Sequence, residues 1–532
     1  MSLSKKSAII AMIILSGCSS GWLGSDSKKE KIKGERISVL SMGADLRVDV
    51  MLKDSQVVIP GAEYNNLWSK SSGHGVSPEN PQAPLSFTKR TSVGIGKAPD
   101  SKTHLTASPV IGGGRVYTLD ARGKITAFDA ENIKHKIWNY KITIGEEKGD
   151  FTNGGLLYDD GKLYIATGYN YVIAVAADSG KEIWRRQVTS LARSAPAAGD
   201  GVVVVNTIDN ISYGLDAHDG SIIWNHAGTQ IDVSVVGTAS PVVKNDIAYI
   251  PYSSGELYAL RAADGNEIWL DSLADPDNSA AYALPDVDSS PLVSDDKVYA
   301  ISADGLLAAM DPHNGQKIWE TKVSSSNQPW LAGDYIYVID SNNEVLCIST
   351  RTGGIKWISK LPSYKNEETK ANFIEWQGPV MAGGNLLVVS SNGKLWSIAP
   401  DSGDVISKNK VAKDIYSAPV IAHNNLYLID DNANMTVLRG SLENAKMPKP
   451  SKPETKPSQI DETIGEENKE SLQGPGVGKK GEKVEFKGGE VELVLPEEEQ
   501  EKHEDGFFQH VFEGIKGLFH KREQAPETME ND

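Results

Sequence analysis

The chain has 532 residues, 39% of them hydrophobic, enough for one large domain with extensions and a sizeable core. Its formal net charge of −17 argues against a nucleic-acid partner, because phosphate binding needs clustered Lys and Arg. Two cysteines, Cys18 and Cys347, permit at most one disulfide, and no Cys and His have the spacing of a zinc site.

The N-terminus reads as an address. Lys5 and Lys6 precede an apolar run at residues 8–15, too short to cross a bilayer as a helix and suited to a secretory signal. The run ends in Leu15-Ser16-Gly17-Cys18, which resembles the bacterial lipobox, where a peptidase cuts before a cysteine that carries lipid. The resemblance implies removal of residues 1–17 and acylation of Cys18, and two or more acyl chains anchor stably. Ser19, in place of an aspartate, resembles the enteric sorting pattern for the outer membrane. Residues 18–35 are small, polar and charged, and read as a flexible tether.

From residue 36 to residue 440 the chain repeats itself. The fullest unit is Leu257-Tyr258-Ala259-Leu260-Arg261-Ala262-Ala263-Asp264-Gly265-Asn266-Glu267-Ile268-Trp269. Its final tryptophan recurs as Trp138, Trp184, Trp224, Trp319 and Trp357, at intervals of 38 to 50 residues, the range of propeller blades. Each unit holds an alternating strand, a turn such as Asp304-Gly305 or Asn392-Gly393, a second strand, an Asp-x-x-x-Gly turn and a final strand. The copy ending at Trp138 lacks the turn glycine, and the copy at Asp401–Gly403 lacks the tryptophan. Short runs such as Ser108-Pro109-Val110, Ser240-Pro241-Val242 and Ser290-Pro291-Leu292 start the innermost strands. Six tryptophans at one position point to packing between blades and not to ligand stacking.

Seven turn motifs are followed by residues 426–438, which stop before a last strand. Residues 66–69, with Trp68, read as the missing strand supplied by the N-terminus. The expected fold is therefore an all-β, eight-bladed propeller of four-stranded antiparallel blades, closed by the two ends of the domain. Cys347, in a strand-like run, reads as a buried free thiol. Gly112-Gly113-Gly114 reads as a turn, and scattered histidines such as His218, His313 and His423 as solvated.

The Ala-x-Asp-x-x-x-Gly-x-x-x-Trp unit resembles the PQQ-type propeller repeat. That repeat occurs in quinoprotein dehydrogenases, which hold pyrroloquinoline quinone and calcium, and in the BamB family of lipoprotein scaffolds. The dehydrogenases carry adjacent cysteines against the quinone; this chain has none, and its repeats are close-set. The chain is more similar to the BamB family. Residues 34–40, Gly-Glu-Arg-Ile-Ser-Val-Leu, resemble that family's entry into the ring. In Ser190-Leu191-Ala192-Arg193 the resemblance makes Arg193 the family's partner-binding arginine; the loop is shortened around Leu191 relative to the family's Leu-x-Leu-Arg. In Asp286-Val287-Asp288-Ser289-Ser290-Pro291 it makes Asp286 and Asp288 the acidic pair. Both segments precede innermost strands, two repeats apart, which places them on one rim. The implied partner is a periplasmic POTRA domain of BamA, with unfolded outer-membrane proteins as further partners, no cofactor and no catalysis. A quinone-dependent periplasmic dehydrogenase is the alternative.

Residues 441–532 carry 22 acidic and 13 basic residues and open with a Pro-spaced polar linker, so disorder is expected. Within them, Phe507, Phe508, Val511, Phe512, Ile515, Leu518 and Phe519 fall on one helical face, which predicts an amphipathic helix over 505–522. Gly506, Gly514 and Gly517 oppose it.

Overall fold

A computed structural model describes residues 46–71, 78–84, 86–100, 104–144, 154–192, 194–230, 239–274, 286–303 and 305–440. Cys18, Arg193 and the expected helix 505–522 lie outside the described residues.

Eight four-stranded antiparallel sheets make up the domain. Blades 1 to 7 each use consecutive strands, innermost to outermost. Blade 1 runs from Val110–Gly112 to Lys136–Lys141, blade 2 from Gly155–Asp159 to Glu182–Gln187, and blade 3 from Ala197–Gly199 to Ile222–Ala227. Blade 4 runs from Val242–Lys244 to Glu267–Ser272, blade 5 from Leu292–Val293 to Lys317–Thr321, and blade 6 from Trp330–Ala332 to Ile355–Lys360. Blade 7 runs from Trp376–Ala382 to Val405–Lys410, preceded by a small hairpin, Tyr364–Asn366 with Ala371–Phe373. Several innermost strands start directly after a proline, where the missing N–H falls outside the ladder. Second strands such as Val202–Asn206 are buried along their whole length, because neighbouring blades cover both faces.

The tryptophans hold blade to blade. Each indole Nε1 donates to a carbonyl in the next blade's glycine turn between third and fourth strands: Trp138 to Ala177, Trp184 to Ala217, Trp224 to Ala262, Trp269 to Pro312, Trp319 to Thr350 and Trp357 to Pro400, at 2.7 to 3.3 Å. Each ring also lies flat on that turn's glycine. A Cβ on Gly315 would sit 2.7 Å from the Trp269 ring, and its φ of 73° disfavours any side chain. The motif's aspartate shapes the turn: Asp216 Oδ1 accepts from the N–H groups of His218 and Asp219.

Blade 8 closes the ring as expected, but not with the expected strand. Its outermost strand is Lys89–Gly94, paired antiparallel with Asn434–Arg439 from Lys89↔Arg439 to Gly94↔Asn434. Trp68 lies elsewhere. Residues 46–71 cross the rim of first-to-second-strand turns, where the Asn65 side chain donates to the Ile421 carbonyl and the His423 N–H to the Asn65 carbonyl. They then enter the central channel. Trp68 and Ile111 exchange N–H···O bonds of 2.8 Å, and Lys70 bridges Leu157, so this segment adds to the inner edges of blades 1 and 2. Trp68 is buried and stacks on Trp330 of blade 6 at 6.1 Å. The Trp330 indole in turn donates to the Glu79 carbonyl as the chain leaves. Cys347 is buried and free, and burial pushes its thiol up.

Candidate functional site

In blades 3, 5, 6, 7 and 8 the incoming loop packs beside that blade's second-to-third-strand turn. A turn N–H donates to a loop carbonyl in blade 3 (Ile208 to Leu191), blade 5 (Ala303 to Asp286), blade 6 (Ser341 to Ser324), blade 7 (Ser391 to Glu375) and blade 8 (Asp431 to Asp414). Leu191 and Asp286 are thus equivalent positions two blades apart, on the rim opposite the one crossed by residues 46–65. Asp288, two residues beyond Asp286, meets the side chain of Ser326, which stands two residues beyond Ser324 in the next blade.

Leu191 is half-buried on this rim. Asp286 is turned inward, 1% exposed, with Val287 and Ser289 also buried. Asp288 is half-buried and lines a cavity of about 150 Å³ at the channel mouth, among Ser71, Ser108, Ser240, Ser290 and Gln328. Burial, and then the neighbouring Asp286 carboxylate, raise the Asp288 carboxyl from 3.8 to about 7. Asp288 thus stands partly exposed at the channel mouth, with the Asp286 carboxylate buried close behind it. Gln328 braces the loop from blade 6: its side chain accepts from the Ser290 N–H and donates to the Ser290 carbonyl, both at 2.9 Å.

The opposite end of the channel holds a larger cavity of about 560 Å³, with Lys70 in its wall. Sequence reasoning missed both Lys70 and the threaded segment that carries it. Among the described residues no group of three or more His, Cys, Asp or Glu is placed to hold a metal ion.

A family model described as "Outer membrane protein assembly factor BamB" matches residues 136–359, a span that contains Leu191, Arg193, Asp286 and Asp288. The chain resembles the BamB family over this span. Curated BamB relatives agree over most of their own length. The protein of Salmonella typhimurium is 28% identical, covering 65% of this chain and 88% of its own. That of Escherichia coli is 26% identical, covering 64% and 84%. Among solved structures, BamB from Moraxella catarrhalis superposes with a TM-score of 0.56 at 20% identity, covering 67% of this chain and 100% of that one. A europium-containing methanol dehydrogenase gives 0.55 at 13% identity, covering 68% and 89%. The ring fold is therefore shared with BamB and with a methanol dehydrogenase.

Proposed function

We propose that the chain is a scaffold subunit of the outer-membrane β-barrel assembly machinery, held on the periplasmic face of the outer membrane by acylated Cys18. In this reading it assists the folding and insertion of β-barrel proteins and has no catalytic role. It binds a POTRA domain of BamA through Leu191 and Arg193 of blade 3 and Asp286 and Asp288 of blade 5. The equivalence of Leu191 and Asp286 on one rim carries the reading: the two segments that resemble the family's partner-binding loops stand at the same level of the ring. Arg193 supplies a cation, and the acidic pair supplies acceptors, for charge-assisted bonds to a partner.

The test is capture of BamA POTRA domains by the purified chain. Arg193→Ala, or Asp286→Asn with Asp288→Asn, should weaken capture at least about tenfold, since losing one member of a desolvated charged contact costs about 2–5 kcal/mol. Trp269→Ala, remote from the rim, serves as the stability control. Rim variants that capture BamA as the parent does would overturn the assignment of these residues.

The likeness to methanol dehydrogenase supports a second reading, a quinone-dependent dehydrogenase. Adding pyrroloquinoline quinone with calcium or a lanthanide to the purified chain should give no alcohol oxidation. Turnover that depends on the quinone would favour that reading.

A further inference from the structure

Lys70 is fully buried inside the ring. Its backbone bridges Leu157 of blade 2, and its side chain runs past blade 3 inside the channel, where Nζ donates to the Pro241 carbonyl at the head of blade 4. An ammonium has three donors, and that carbonyl is the one acceptor it finds among the described residues. The two carboxylates that line the same cavity are engaged elsewhere: Glu79 Oε2 accepts from the Gly333 N–H, and Asp295 pairs with Lys244 at 2.9 Å. Burial without an anion lowers the Lys70 amine from 10.5 to about 7. The cavity beside it holds about 560 Å³, the size of a small-molecule site, and its walls are the innermost strands of blades 3 to 6, with Ala198, Val243, Leu292 and Leu331. An apolar chamber with one under-satisfied cation in its wall lacks a single negative charge on an apolar body.

We propose that this cavity is a binding site for an apolar monocarboxylate, with the carboxylate on Lys70 Nζ and the apolar portion against the innermost strands of blades 3 to 6. One buried cation neutralises one charge, so a carboxylate fits better than a phosphate dianion. Two sources offer this chemistry, a free fatty acid and the C-terminal residue of a polypeptide with an apolar end.

The experiment uses the full-length chain carrying Cys18→Ser, purified without detergent, and isothermal titration with three probes. These are decanoate, N-acetyl-leucyl-phenylalanine and the amide of that dipeptide. One-to-one saturation is expected with decanoate or the free dipeptide acid, and none with the amide. Binding at pH 8 should take up a proton, because the carboxylate restores the charge on Lys70; titration in buffers of different ionisation enthalpy reads this directly. Lys70→Met should weaken binding at least about tenfold and abolish the proton uptake. Ala198→Trp, which fills the cavity and leaves Lys70 in place, should abolish binding. Far-UV circular dichroism of both variants should match the parent. Saturation by decanoate alone identifies a small apolar acid as the ligand class, and saturation by the dipeptide acid identifies a polypeptide C-terminus. Absence of saturation by both acids, equal binding of the amide, or parental affinity in Lys70→Met would each overturn the proposal.

Discussion

The indole of Trp269 in blade 4 donates to the Pro312 carbonyl of blade 5 at 2.8 Å while its ring covers Gly315. Tryptophan and glycine are therefore one inter-blade pair and not two separate features of a repeat. The two irregular copies follow from this. The glycine-free turn at residues 129–136 belongs to blade 1, and the blade before it, blade 8, ends in Lys89–Gly94, which has no tryptophan. The tryptophan-free strand Val405–Lys410 precedes blade 8, whose third and fourth strands are not joined by a turn at all. At the first of these junctions Arg439 donates to the Ala130 and Glu131 carbonyls instead.

Trp269→Ala should destabilise the fold by about 3–5 kcal/mol, the cost of deleting a buried aromatic. Gly315→Ala should also destabilise it, through its clash with the same ring. The double variant should lose less than the sum, with a coupling of about 0.5–3 kcal/mol measured by denaturant unfolding. Additive losses would mean that the two residues do not act as a pair.

Ring closure can be locked covalently. Ser92 Oγ and Thr436 Oγ1 lie 3.3 Å apart across the closing strands. Ser92→Cys with Thr436→Cys should form a disulfide on oxidation and stabilise the ring by about 2–4 kcal/mol, read as a higher Tm that reductant reverses. A Trp68→Cys, Thr436→Cys pair should not cross-link, because Trp68 is paired with blade 1.

Asp288 and Lys70 give stability opposite pH dependences. The Asp288 carboxyl moves from 3.8 to about 7. Between those values the unfolded chain releases its proton and the folded chain keeps it, so this group's contribution falls as pH rises and its full penalty stands above pH 7. Asp288→Asn should therefore stabilise the ring at pH 8, by on the order of 1–3 kcal/mol, and have little effect at pH 4. The Lys70 amine moves from 10.5 to about 7, so the folded chain lacks a proton that the unfolded one holds between those values. Its contribution improves as pH rises, and Lys70→Met should stabilise most below pH 7. Thermal melts of both variants from pH 4 to pH 9 check the signs.

Cys18→Ser should release the protein from outer membranes into the soluble periplasmic fraction. Acylation is the anchor in this reading, and a single thiol carries it. Sedimentation of the variant with membranes would place the anchor elsewhere, with the apolar residues between Phe507 and Phe519 the next segment to delete.

The blades were legible because each repeats three local signals: alternation, turn chemistry and a terminal tryptophan. The closing strand was not. Lys89–Gly94 lies at the outside of its blade with an exposed-to-intermediate pattern, and Val93 is its one large apolar residue, so burial leaves little mark on its sequence. The tryptophan signal drew the assignment to Trp68, whose burial has a different cause, stacking on Trp330 inside the channel. The rim loops were found through family resemblance, but the inward turn of Asp286 was not: an Asp-Val-Asp loop looks the same whether it faces solvent or a channel. Lys70 carried no signal at all, because nothing local distinguishes a lysine buried inside a channel from one in water.

The pairing of Lys89–Gly94 with Asn434–Arg439 also sets a rule for synthesis. Translation delivers the closing strand first and its partner last, so the earliest strand of the ring waits until nearly the whole domain has emerged. An open array of repeats gains stability with every unit added. Here a chain arrested anywhere before residue 434 has seven blades at most and two bare sheet edges, and it should be cleared by proteases or aggregate. Nonsense and frameshift lesions in this domain should therefore be equally severe wherever they fall.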